Sequence, residues 1–260
     1  MRKTILFRKL LFTVAVIFIM TETQAQEITG RTATGRARPD YNHVAYDTGP
    51  LNILNIYIAE GTRNGPPTPL YVWGHGAGGT LDGFSNQVWN ELNQSGISAI
   101  SWESIDNIRT PTEFNQCMRD LEKVMEFVFE NASLYNFDTS KIVIGGSSRG
   151  SFISWEYSHA NPHIVKGIYS TGALGDPLMW KESGWEPRNA IHDGSPPLLF
   201  TYRATPGDGN VHNPKSGVLI KERYEEIGIG HLARVEHSLT KRGLHRWSFI
   251  SDFIKQVTSQ

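Results

Sequence analysis

The feature that most constrains this chain is an alternation. Short apolar runs of strand length recur along it: "LNILNIYI", "LYVW", "ISAISW", "KIVI", "VKGIYST", "PPLLF" and "LARV". Between most of them lie stretches with helical spacing. Residues 82–95 read as a helix. So do 112–135, where Met118, Leu121, Val124, Met125 and Val128 fall on one face. A third runs to about Ala160 and is stopped by Pro162, and two more cover 216–228 and 246–257. Strands alternating with helices predict an α/β domain, a mostly parallel sheet covered on both faces. The spacing places a Trp- and Pro-bearing insert at about 175–195. In such sheets ligands bind at the carboxyl ends of the strands, so functional residues are expected just after them.

The first 25 residues stand outside that pattern. Arg2, Lys3, Arg8 and Lys9 precede an apolar run, Leu10 to Met20, too short to span a bilayer. Thr23 and Ala25 occupy the small-residue positions of a cleavage site, so 1–25 reads as a signal peptide and 26–260 as a single domain. That predicts a secreted or periplasmic protein with no integral membrane span once the leader is removed. The leader holds four of the 25 Lys and Arg and one of the 26 Asp and Glu, leaving a net charge near −4. With no basic stripe, nucleic acid is a poor expectation. The one cysteine, Cys117, allows no internal disulfide, and a domain of this length can be stabilised by its core alone.

Four segments carry candidate chemistry. Gly146-Ser147-Ser148-Arg149-Gly150 fits G-x-S-x-G between a predicted strand and helix. A serine nucleophile on a sharp strand-to-helix turn needs small neighbours, and the following helix points N–H groups toward developing negative charge. The frame makes Ser148 the nucleophile and puts Ser147 one residue early. His75-Gly76-Ala77-Gly78-Gly79 follows the strand "LYVW". The backbone N–H groups of Ala77 and Arg149 could there form an oxyanion hole; a plain tight turn is the simpler reading of the same glycines. Asp208 lies in a Gly-flanked loop after "PPLLF", with Asp176 and Glu103 as rival acids. Of nine histidines, His245 has the loop position before the last helix that could bring an imidazole over Ser148, whereas His212, His231 and His237 lie beside or within predicted elements. The order Ser148, Asp208, His245 is the chain order of a serine hydrolase on an α/β sheet.

With "VWGHGAGG", "IGGSSRG", the Asp208 loop and "GLHRWSFISDFI", the chain resembles the α/β-hydrolase superfamily, and within it small secreted esterases of the feruloyl/acetyl-esterase and dienelactone-hydrolase-like type. Ala77 stands where the second glycine of an H-G-G-G pattern is usual, and Arg149 where a small or apolar residue is more common. A Ser-Arg pair at this corner is locally similar to that of glucuronoyl esterases.

The resemblance implies a serine carboxylic ester hydrolase with catalytic Ser148, His245 and Asp208, no cofactor and no metal. Its expected partner is a small-molecule or oligosaccharide ester carrying acetyl, feruloyl or uronoyl groups. Arg149, a cation in the first turn of a helix, is expected to pair either with a protein carboxylate such as Glu103 or with a substrate carboxylate. Trp180 and Trp185 are candidates for an aromatic substrate floor, with packing of the insert as the alternative. A prolyl-oligopeptidase-type peptidase, a lipase and a non-catalytic binding protein are the competing readings.

Overall fold

The computed structural model describes residues 36–106, 108–207, 209–238 and 249–259; the leader, Asp208 and His245 lie outside them. The described strands are β1 (Tyr41–Ala45), β2 (Ile53–Tyr57), β3 (Thr68–Gly74), β4 (Ser98–Trp102), β5 (Phe137–Ser147), β6 (Val165–Thr171), β7 (Leu198–Thr201) and β8 (Ala233–Glu236). They form one sheet in the order β1-β2-β4-β3-β5-β6-β7-β8. The two pairs made by β2 are antiparallel and the other five parallel, as the alternation predicts. β1 was not expected. It is a half-buried edge strand, irregular in register, with His43 at a φ of 52°. β5 begins at Phe137, five residues before the apolar run that announced it.

The helices are α1 (Asn86–Gln94), α2 (Pro111–Tyr135), α3 (Arg149–Ala160), α4 (Pro177–Ser183), α5 (Lys215–Glu226) and α6 (Ile250–Thr258). Leu54, Ile56, Leu70, Val72, Ile142 and Ile144 pack against α2 and α3 on one face of the sheet. Tyr71, Trp73, Val143, Tyr169 and Leu199 pack against α1 and α6 on the other. Local chemistry sets the ends of α2. Thr110 accepts from the Glu113 N–H and the Glu113 carboxylate accepts from the Thr110 N–H, with Pro111 in the first turn. At the other end Asn136 takes the left-handed conformation, φ 59°.

α3 is buried nearly all round. Small residues let it press onto the sheet. The hydroxyls of Ser154 and Ser158 donate to carbonyls one turn back, Gly150 and Ser154, so no buried hydroxyl there is left over. A Cβ on Gly150 would stand 2.2 Å from the Gly74 carbonyl oxygen, and one on Gly146 2.5 Å from the same atom. The start of α3 therefore lies directly on β3, and both glycines of the G-x-S-x-G frame are there because nothing larger fits.

Candidate active site

β5 ends at Ser147 and α3 begins at Arg149, so Ser148 is the corner itself. Its backbone sits at φ 49°, ψ −113°, a region that costs a residue with a side chain on the order of 1–3 kcal/mol. Surrounding bonds hold it there. The Ser148 N–H donates to the Thr171 carbonyl (3.1 Å) and the Ser148 carbonyl accepts from the Ser151 hydroxyl (2.5 Å). That hydroxyl also accepts from the Leu174 N–H (2.9 Å), tying the corner to the loop after β6.

The two serines separate. Ser148 Oγ lies 2.9 Å from Nε2 of His212. Ser147 instead lines a cavity of about 330 Å³ that runs along Gly76–Thr80 to Trp73, Phe84 and Val88. His212 is carried by the segment between β7 and α5. Both the Tyr202 hydroxyl and the Ser216 hydroxyl donate to the Ala173 carbonyl, 3.1 and 3.2 Å, and so bind that segment to the loop after β6. Gly172 keeps room for the imidazole: a Cβ there would stand 3.1 Å from the His212 ring, at a φ of 55°. His212 looked like a helix-flanking residue in the sequence. Its one local signal is its place four residues after Asp208, which keeps the order serine, acid, histidine.

The glycine corner lies beside Ser148. Gly76 approaches so closely that a Cβ would stand 3.3 Å from the Ser147 carbonyl and 3.4 Å from Ser148 Cβ. The His75 carbonyl accepts from the Gly150 N–H (3.1 Å), and the Gly78 N–H donates to Asp106 (2.7 Å). Ala77 is exposed at the rim of the cavity.

Arg149 does not face that cavity. Its side chain is turned into the protein at 4% exposure, where it donates to the Ile105 carbonyl and lies 3.5 Å from Cys117 Sγ. One guanidinium nitrogen lies 2.8 Å from Nε2 and 3.2 Å from Nδ1 of His75. The expected pairing with Glu103 is thus indirect, because His75 stands between them with Nε2 2.5 Å from the Glu103 carboxylate. A side chain held this way is in no position to grip a substrate carboxylate. Burial by itself would raise the Glu103 carboxyl, but the hydrogen bond and charge of His75, with the N–H groups of Leu81 and Ser104, hold it below the usual range.

The insert tryptophans are packing residues. Trp180 is 3% exposed and its indole N–H donates to the Leu174 carbonyl. Trp185 is half-buried, donates to Glu156 (2.7 Å) and packs on Phe152 and Trp180 with ring centroids 5.1 and 6.2 Å away. Asp176 accepts from the Leu178 N–H (2.8 Å) as the N-cap of α4, a complete structural role. Among the described residues no cluster of three His, Cys, Asp or Glu side chains is placed to hold a metal ion, and no helix is long and apolar enough to cross a membrane.

Residues 54–161 match the protein family described as BD-FAE. The match takes in the glycine corner and Ser148 and ends before Asp208 and His212. No curated protein matches the chain. Among solved structures, a truncated carbohydrate esterase from gut microbiota superposes with a TM-score of 0.66 at 15% identity, over 89% of this chain and 100% of that one. A bifunctional GH43-CE protein of Bacteroides eggerthii gives 0.65 at 14% identity, over 84% of this chain and 38% of its own. The esterase LipW of Mycobacterium marinum gives 0.61 at 17% identity, over 82% and 80%. At these identities the likeness establishes the fold, which is the α/β-hydrolase fold.

Proposed function

We propose that this chain is a serine carboxylic ester hydrolase, and the observation that carries the proposal is the 2.9 Å approach of the His212 imidazole to Ser148 Oγ on a strained strand-to-helix corner. Ser148 attacks the ester carbonyl while His212 Nε2 takes its proton and returns it to the leaving alcohol. Asp208, four residues before His212 in the sequence, is the acid we assign to orient the imidazole. The tetrahedral oxyanion is received by the N–H groups of Ala77 and Arg149. In the first turn of α3 the N–H groups of Gly150 and Ser151 are already used by the carbonyls of His75 and Ser148, which favours Arg149 as the donor. Each well-placed donor lowers the barrier by about 3 kcal/mol. Water then releases the acyl group.

His245 was the base expected from its loop position. His212 is preferred because it touches Ser148, and because the chain order Ser, Asp, His holds for either histidine. The family match and the carbohydrate esterases among the structural neighbours support an ester on a carbohydrate or another small molecule as substrate, acetyl and feruloyl groups being the first to try. The basic and apolar leader supports export.

The test is a panel of p-nitrophenyl acyl esters, feruloyl esters and aminoacyl anilides, run on the wild type and Ser148→Ala. Ester hydrolysis by the wild type that vanishes in Ser148→Ala without loss of fold supports the proposal. Near-normal turnover by Ser148→Ala, or cleavage of the anilides alone, overturns it.

A further inference from the structure

The side chain of Arg149 has no place in the reaction just described, yet a buried guanidinium is costly unless its groups are satisfied. Its surroundings form a chain of contacts. From Arg149 the contact passes to the His75 ring, 2.8 Å at Nε2, and from Nε2 to the Glu103 carboxylate, 2.5 Å. Nδ1 of the same ring faces the Gly76 carbonyl at 2.8 Å. The His75 ring is therefore engaged at both nitrogens, by Glu103 and Arg149 at Nε2 and by the Gly76 carbonyl at Nδ1. Glu103 is filled as well, by the N–H groups of Leu81 (3.1 Å) and Ser104 (3.2 Å). The Ser104 hydroxyl donates to the buried Asp120 at 2.5 Å, so the buried Arg149 guanidinium stands near two buried carboxylates, Glu103 and Asp120.

What this chain connects gives it a use. Arg149 supplies, through its backbone, one proposed oxyanion donor; His75 opens the glycine corner whose Ala77 supplies the other. The side chain of the first donor thus grips the segment that carries the second, and Glu103 at the end of β4 anchors both. We infer that Glu103, His75 and Arg149 are positioning residues that fix the spacing of the two oxyanion donors. The inference rests on the ester-hydrolase reading of the same site. All three side chains are buried, so the unit acts through backbone N–H groups. Its loss should therefore be felt where charge develops, in the transition state, and little in substrate binding.

Glu103→Gln keeps the size of the side chain and removes the carboxylate charge that holds the His75 ring and offsets the buried Arg149 guanidinium. Arg149→Lys keeps the charge and loses the planar fork. Deleting an oxyanion donor outright costs about 10²–10³ in kcat, so displacing one should cost roughly 10–100-fold. Steady-state kinetics on a p-nitrophenyl acyl ester are measured for both variants, the wild type and Ser148→Ala, with thermal melts to establish the folded fraction. The expected result is a kcat reduced by at least about tenfold in Glu103→Gln and less in Arg149→Lys, with KM within about twofold of wild type. Unchanged kcat, a change confined to KM, or a fall that merely tracks the folded fraction in both variants overturns the inference and leaves the ester-hydrolase proposal standing. No Ser148-dependent turnover in the wild type overturns both.

Discussion

His159 offers the clearest test of the energetics of α3. It is 8% exposed, its ring lies against Trp155 with centroids 4.0 Å apart, and its Nδ1 faces the Trp155 carbonyl one turn back at 2.9 Å. Nε2 is buried with no partner among the described residues. Protonation would add a second N–H with no acceptor among the described residues in a buried site. Burial, with a smaller push from nearby His192, lowers the pKa from 6.5 to about 4, against the opposing effect of the Trp155 carbonyl. The unfolded chain therefore takes up a proton between these values that the folded chain refuses. Stability is complete above about pH 6.5 and is lost as the pH falls toward 4. Integrated over the shift, the loss is about 2 kcal/mol by pH 5 and about 3 kcal/mol by pH 4. Glu91 and Glu156 are also raised by burial, so the quantity to read is a difference between two proteins. His159→Phe keeps the ring and removes the titration. Urea unfolding at pH 7.5 and pH 5.0 should show the wild type losing about 2 kcal/mol more than the variant, or roughly 4–8 °C more in Tm. Parallel pH profiles for the two proteins would refute the reasoning.

Asp208→Asn should lower kcat by several powers of ten, because the imidazole loses the group that sets its tautomer, while Asp176→Asn should cost only part of a helix cap; ester kinetics on both compare them. Gly150→Ala forces a Cβ to within 2.2 Å of the Gly74 carbonyl and should cost about 3 kcal/mol, roughly 6–12 °C in Tm by thermal melt.

Much of this molecule was readable in the sequence because its signals are local. Each apolar run became a strand, every one but β2 with a parallel neighbour, and the Thr110-Pro111 and Glu113 signature sits at the start of α2. The serine corner was legible as a five-residue frame, Gly146 to Gly150, between a strand and a helix, although what its two glycines make room for is the distant Gly74 carbonyl of β3. What escaped depends on segments far apart in the chain. The inward turn of Arg149 needs Ile105, Cys117 and His75, residues 32 to 74 positions away. His212 reaches Ser148 only because the loop after β6 leaves a glycine, Gly172, under its ring. Trp180 and Trp185 looked like a possible floor because tryptophan serves equally as platform and as packing; only the partners of their indole N–H groups decide. β1 was missed because "YNHVA" has neither the alternation nor the β-branched content of a strand, and it is held by the edge of β2 instead.

The central claim is that Ser148 is a nucleophile driven by His212. The direct measurement is the rate at which a fluorophosphonate labels the protein, with the modified residue located by peptide mapping, in the wild type, His212→Ala and His245→Ala. The account predicts label on Ser148 in the wild type, a rate reduced by at least about a hundredfold in His212→Ala, and a much smaller change in His245→Ala. Label on Ser147, or rapid labelling of His212→Ala together with loss in His245→Ala, would contradict it.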